Sequence, residues 1–255
     1  MSFNLRGTWA IYRFELARTW RTLFQSILTP VLTTSLYFIV FGGAIGQKIS
    51  TMGGVPYAAF IVPGLLMLTI LAESTANASF GIYLPRFTGT VYELLSAPLG
   101  VAETLIGFVG AAVTKSVILA VIILITARLF VDYPVAHPFW AAFFIVLSAM
   151  AFSLLGFILG CWADGFEKLQ VVPMLVLTPM TFLGGTFYSV AMLPEPWRTV
   201  TLFNPVVYLV NGLRWTFFGE ADVNFGVATG ITFVFLALCI GVIALIFKTG
   251  WRLRT

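Results

Sequence analysis

The stretch Tyr133–Ala163, YPVAHPFWAAFFIVLSAMAFSLLGFILGCWA, runs for 31 residues without one Asp, Glu, Lys or Arg. A helix needs about 20 apolar residues to cross a hydrocarbon core about 30 Å thick, so this stretch is long enough to span a bilayer. Working outward, the runs Thr22–Gln47, Ile49–Ala72, Leu169–Pro194 and Val223–Phe247 are equally free of charge. Backbone groups in hydrocarbon must be satisfied within the segment, which leaves helices or a closed barrel. The apolar runs are continuous, whereas barrel strands alternate in polarity, so the fold class is an all-α polytopic membrane protein. Composition agrees: 60% of the 255 residues are hydrophobic, 9% are charged, and mean hydropathy is +1.00. So little charge cannot cover a water-facing surface.

Placing the second and third spans around Glu73 and Lys115, and trimming at Pro, Gly and polar clusters, predicts six helices. They lie near 23–46, 57–84, 104–130, 139–163, 169–190 and 225–247. The uncharged segment Thr199–Leu213 is short for a seventh crossing and contains Asn204-Pro205, so a re-entrant or interfacial segment is expected there. With the N-terminus inside, Arg6, Arg13, Arg18, Arg21, Arg86, Lys168, Lys248, Arg252 and Arg254 are cytoplasmic. Lys48, Arg128, Arg198 and Arg214 are outside, and Lys115 lies within a helix. Nine against four is the positive-inside bias, which puts both termini in the cytoplasm. The same placement explains the basic pI of 9.2 without nucleic acid. Arg6, Arg13 and Glu15 fall where a signal peptide would need its apolar region, so the first span is expected to serve as its own insertion signal.

Ahead of that span, Leu5, Trp9, Tyr12, Leu16, Trp20 and Leu23 recur at spacings of three and four. This stripe predicts an amphipathic helix over 1–21 lying in the membrane interface; a simple basic anchor is the alternative. No internal repeat divides the chain, so residues 1–255 read as one domain.

The chemistry-bearing residues are few. His137 is the single histidine, which excludes HExxH zinc sites and multi-histidine ligand sets. No GxSxG turn accompanies it. The phosphate-loop pattern is also absent: the stretch ending at Lys115-Ser116 lacks both glycines. Cys161 and Cys239 sit in apolar runs as packing residues. Glu73 and Lys115 fall at similar depth on consecutive helices, so pairing inside the bundle is expected, since an unpaired charge there costs a few kcal/mol or more. A snorkelling Lys115 beside a protonated Glu73 is one alternative, and a proton relay through Glu73 in a secondary transporter is another. The residues after Glu73, Ser-Thr-Ala-Asn-Ala-Ser, suit close packing or a polar route.

Two regions interrupt the simple plan. Between spans two and three, Pro85 is expected to break the helix, and Thr90 to open a short amphipathic turn closed by Pro98. Val91, Leu94 and Leu95 would face one way, leaving Arg86 and Glu93 to meet water or a partner. The fifth span is interrupted by Pro173, Pro179 and Gly184-Gly185, with Pro194, Pro196 and the segment 203–215 beyond.

Four stretches, met in this order along the chain, carry a family likeness: FIVPGLLML at 60–68, Glu73–Asn77, LPRFTGT at 84–90 and NPVVYLVNG at 204–212. On these the chain resembles the membrane permease subunit of ABC type-2 exporters, in particular the YadH-like inner-membrane transport permeases. The resemblance implies a homodimer, or a dimer with a close relative, bound to two copies of a separate ATP-binding subunit. ATP and magnesium would sit on that subunit, with no cofactor held by this chain. It further implies a cytoplasmic coupling loop over 85–98, with Pro85, Arg86, Phe87, Thr88, Gly89, Tyr92, Glu93 and Leu94 as contacts. An outer re-entrant gate over 191–220 would carry Asn204, Pro205, Tyr208, Asn211 and Arg214. The cargo would be amphiphilic, lipid- or saccharide-linked, or drug-like. An intramembrane enzyme would need a reactive constellation, which the sequence lacks.

Overall fold

The structure is a computed structural model that describes residues 3–21, 23–49 and 51–251, and the side chains of Leu23, Gln25 and Leu95 fall outside that description. The predicted positions Thr22, Arg252 and Arg254 also lie outside the described residues.

The charge-free runs fold as helices. In chain order these are α1 (Leu5–Arg21), α2 (Leu23–Tyr37) with a π-helical continuation over Phe38–Ile45, α3 (Tyr57–Thr88), α4 (Val91–Ser96), α5 (Val101–Phe130) and α6 (Pro138–Trp162). Then follow α7 (Phe166–Val172), a π-helical turn over Pro173–Leu177, α8 (Thr178–Leu183), a 3-10 turn at Val190–Met192, α9 (Trp197–Leu202), α10 (Pro205–Phe218) and α11 (Phe225–Thr249). A two-residue hairpin, β1 (Thr51–Met52) and β2 (Val55–Pro56), turns the chain between α2 and α3. Six stretches are long and apolar enough to cross a membrane: Ser26–Ile45, Tyr57–Thr88, Val101–Phe130, Pro138–Trp162, Phe166–Leu183 and Phe225–Thr249. They correspond one to one with the predicted spans. The fifth stops at Leu183 rather than 190, because Gly184-Gly185 turns the backbone, with φ +79° at Gly185.

Helix α3 is the hub. Its most apolar stretch is 78% buried, against 17% in the first span and 22% in α11. A helix that is apolar all round has to be enclosed on all sides. Ile61, Leu65, Leu66, Met67, Ile70 and Leu71 accordingly show 1% exposure or less. Helix α6 lies directly on it because Gly156 and Gly160 present no side chain. A Cβ at Gly156 would collide with the Thr75 carbonyl, and one at Gly160 with that of Ser79. Thr75 Oγ1 donates to its own Leu71 carbonyl at 2.8 Å and reaches the Phe152 carbonyl of α6 at 3.4 Å. Small polar residues after Glu73 therefore serve close packing here, as they do in membrane helix pairs generally.

Two expected breaks take a different form. Pro85 does not end the second span: α3 continues to Thr88 and stops at Gly89, whose φ of +80° is open to glycine. Proline within the last turn removes one N–H and tolerates the rest, so the left-handed glycine decides the boundary. Pro173 likewise widens the fifth span into a π-helical turn instead of breaking it, and Pro179 sits within the first turn of α8.

Candidate functional site

Glu73 and Lys115 approach each other, yet the expected direct ion pair is not made. No Glu73–Lys115 pair is among the ion pairs of the described residues. Asn77, one turn after Glu73 on the same face of α3, stands between them. Its Nδ2 donates to Glu73 Oε2 at 3.2 Å, while its Oδ1 accepts from Lys115 Nζ. An amide can donate to a carboxylate and accept from an ammonium at once, so it bridges charges that sit too far apart to touch. Lys115 Nζ also donates to Ser26 Oγ of α2 at 3.1 Å, and Ser74 Oγ donates to Ser116 Oγ at 2.9 Å. The lysine thus points into the bundle rather than along it to an interface.

This polar seam continues under α1, through a residue that no sequence motif marks. Glu15 is 5% exposed, and its Oε2 accepts from Arg18 Nη2 at 2.6 Å. A Cβ at Gly81 would stand 3.2 Å from the Phe108 ring and 3.3 Å from Glu15 Oε2, so that glycine makes room for the carboxylate. Burial pushes the Glu15 carboxyl up to about 7, against the opposing pull of Arg18 and Lys115. Tyr12 shares a 2.9 Å hydrogen bond with Thr114 Oγ1 of α5, and Asn4 N donates to Glu103 Oε1 at 3.2 Å. A Cβ at Gly107 would stand 2.7 Å from Ile11, so α1 seats closely on α5. The predicted stripe is consequently divided. Leu5, Trp9 and Trp20 are exposed by 72%, 60% and 70%, whereas Tyr12 and Leu16 are half-buried. The spacing of Glu15 and Arg18, with glycines on both facing helices, is the signal that could have found this contact.

At the α1 end of the bundle, the 85–98 segment forms a small knob. Thr88 Oγ1 bonds the Leu84 carbonyl at 3.0 Å and Thr90 Oγ1 at 3.0 Å, and Gly89 turns the chain into α4. Val91 is buried and Leu94 packs against the core, as expected; Leu95's side chain lies outside the described residues. Phe87 and Tyr92 are largely exposed, as is Glu93. Phe87 stacks at 6.0 Å on Tyr83 and meets Phe166 edge-on at 5.0 Å. Arg86 corrects the expectation that it is free for a partner. Its Nη1 donates to the carbonyls of Gly160 at 2.7 Å and Ala163 at 3.1 Å, capping the end of α6, where a cation is favoured.

At the opposite end, α10 is a buried helix of 14 residues, about 21 Å long, which is short of a membrane core. Asn204 caps it by accepting from Val206 N at 3.0 Å and donates to the Met180 carbonyl at 2.6 Å; Pro205 takes the first helical position. Tyr208 OH donates to the Leu202 carbonyl at 2.7 Å. Asn211 is fully buried and accepts from Asp222 N at 3.2 Å. Arg214 is buried too, not at a surface: Nη2 donates to the Gly185 carbonyl at 2.7 Å, and the guanidinium lies 3.9 Å from the Phe60 ring centroid. A cavity of about 410 Å³ lies beside it, walled by Gly53, Gly54, Ser189, Glu220 and Asp222. His137 stacks on Trp215 at 4.5 Å. No group of three His, Cys, Asp or Glu among the described residues could hold a metal ion.

The profile described as ABC-2 type transporter matches residues 6–218, from α1 to the end of α10. The chain belongs to the ABC-2 type transporter family. Among its relatives is the inner membrane transport permease YadH of Escherichia coli (strain K12), 36% identical over 232 residues, which cover 91% of this chain and 90% of the relative. Nodulation protein J of Rhizobium leguminosarum bv. viciae is 22% identical over 236 residues, covering 90% and 89% of the two chains. Nodulation protein J of Rhizobium meliloti (strain 1021) is 24% identical over 222 residues, covering 87% and 85%. The polar seam, the 85–98 knob and α10 of this ABC-2 type transporter all fall inside the matched range, while α11 lies beyond it.

Proposed function

We propose that this chain is the permease subunit of an ATP-driven exporter in the inner membrane, with both termini cytoplasmic. It forms the pathway for an amphiphilic cargo: lipid- or saccharide-linked, or drug-like. A second copy completes the pathway, and two separate ATP-binding subunits, which carry ATP and magnesium, drive it. The family membership supports transport. The knob at 85–98 supports the coupling, because Phe87, Tyr92 and Glu93 are exposed on a segment tied at its start by the Arg86 cap and the Thr88–Thr90 bond and at its end by the bond from Asn4 Nδ2 to the Pro98 carbonyl at 3.3 Å. The N-terminal segment 1–21, whose helix α1 is Leu5–Arg21, lies in the membrane interface with Leu5, Trp9 and Trp20 toward lipid. Residues 191–220 form a re-entrant outer gate around α10. A secondary transporter using Glu73 as its proton carrier finds no support in a chain of this family.

The observation that carries the coupling is the exposed Glu93 beside exposed aromatic side chains on an end otherwise rich in arginine. Co-purification of the chain with a separate phosphate-loop ATPase from the same cells, followed by Glu93→Arg, tests this. Expected is a complex in which Glu93→Arg keeps assembly of the permease but uncouples ATP hydrolysis from transport. Unchanged coupling would exclude the knob as the contact.

A further inference from the structure

The cavity of about 410 Å³ at the end of the bundle opposite α1 has a cationic floor and an acidic rim. Its size falls within the range of small-molecule sites. Arg214 of α10 and Phe60 of α3 line it as buried residues, exposed by 3% and 4%, whereas Gly53 and Gly54 of the β1–β2 turn, Glu220 and Asp222 line it as exposed ones.

The charge on the floor is unanswered. Arg214 Nη2 donates to the Gly185 carbonyl, but Nε and Nη1 are shielded from solvent and have no hydrogen-bond partner. Among the described residues no carboxylate forms an ion pair with this guanidinium. A buried cation held by one neutral carbonyl and one ring face is costly, because burial removes its hydration and nothing of opposite charge replaces it. Asp222 does not meet the need. Its Oδ1 accepts from Ser189 Oγ at 2.7 Å and its Oδ2 from Val190 N at 2.8 Å, which commits the carboxylate to the turn at 189–190. Arg198 opens into a neighbouring cavity that shares only the Asp222 wall, so it does not neutralise this rim.

An acceptor with negative charge therefore suits the floor, while Glu220 and Asp222 repel a plain anion at the entrance. A zwitterion entering anion first satisfies both. Depth narrows the class further. Phe60 lies in the first turn of the span Tyr57–Thr88, so the cavity sits where that span leaves the hydrocarbon, at the level of lipid headgroups.

We infer that this cavity binds a phosphoethanolamine group, with its phosphate at Arg214 and its ammonium at Glu220. The guanidinium turns over the Phe60 face to present Nε and Nη1 to the phosphate. The site lies within one chain and requires neither a second copy nor an ATP-binding subunit, so it stands or falls apart from the export reading.

The test uses the full chain in nanodiscs of equal phosphatidylethanolamine and phosphatidylglycerol, with native mass spectrometry reading the lipid retained on release. Phosphatidylethanolamine should be retained several-fold over phosphatidylglycerol, the preference an exposed ion pair supplies. Arg214→Gln should lower that retention at least tenfold, as the loss of a charged hydrogen bond implies. Arg214 is packed inside the fold, so Glu220→Lys, at an exposed position, carries the same test: with its thermal midpoint unchanged, it should turn the preference toward phosphatidylglycerol. Retained phosphatidylethanolamine assigns the group to a lipid. A thermal midpoint raised by free phosphoethanolamine in detergent, without lipid retention, assigns it to a soluble zwitterion. Equal retention of both lipids, unchanged in Glu220→Lys and with no shift from free phosphoethanolamine, overturns the inference and leaves Arg214 to bound water. A wild-type preference for phosphatidylglycerol overturns it as well.

Discussion

Replacing Arg86 with alanine removes two hydrogen bonds from a charged donor, to Gly160 at 2.7 Å and to Ala163 at 3.1 Å. A bond to a charged group contributes about 1.5–3 kcal/mol when well formed. The shorter bond therefore dominates, and the longer one adds about 1 kcal/mol at most. The lost cation at the α6 terminus adds about 0.3–1 kcal/mol. Together these give a loss on the order of 3 kcal/mol, which for a chain of this size lowers the thermal midpoint by roughly 6–12 °C. Arg86→Lys keeps the charge but offers a single compact donor head, so about half of the loss should return. A fluorescence thermal shift in detergent, read by the elution profile of aliquots heated stepwise, measures this directly. An unchanged midpoint in Arg86→Ala, combined with altered ATP coupling, would refute the cap and return the residue to a partner's surface.

Two further outcomes follow from the seam. Because Asn77 bridges Glu73 and Lys115, a double-mutant cycle of Glu73→Gln and Lys115→Met should give a coupling below about 1 kcal/mol, whereas a direct buried pair would exceed it; thermal stability of the four proteins reads this. Glu15 sits in α1, outside the candidate spans, with its carboxyl pushed up to about 7 from an ordinary value of 4.5. The folded state then binds the proton more tightly than the unfolded one, so stability is greatest below about 4.5 and falls as pH rises toward 7, by up to about 3 kcal/mol. Glu15→Gln should flatten the thermal midpoint between pH 5 and 7; an unaltered slope would show that Glu15 is ionised in the fold.

The spans were legible because hydrocarbon tolerates so little charge: a run such as Tyr133–Ala163 has one solution. The α4 knob was legible too, since Thr90 and Pro98 bracket a short amphipathic turn. What escaped the sequence depends on partners far along the chain. Arg86 looks available until α6 brings Gly160, 74 residues later, to its guanidinium. Glu15 resembles a surface charge on an amphipathic helix, and only the glycine opposite, Gly81, reveals that it turns inward. Pro85 carries a strong local signal for a break, but tertiary packing of α3 holds the last turn and leaves the ending to Gly89. Depth along two helices correctly brought Glu73 toward Lys115, yet it could not show that Asn77 would reach the lysine first.

Helix α3 extends for 32 residues, about 48 Å, from the β hairpin to Gly89, so it reaches well beyond a core about 30 Å thick. At one end it carries the knob; near the other, Gly64 abuts the Thr186 carbonyl just past the turn that ends the fifth span. In the coupling proposed above, such a rod would act as a lever pivoting near its middle, where Gly156 and Gly160 of α6 touch its backbone at Thr75 and Ser79. A tilt of about 5° about its midpoint swings each tip by about 2 Å. If the knob takes the push of the proposed ATP-binding subunits, that push would reach the far mouth as an opposite displacement, with no need for a relay of side chains in between.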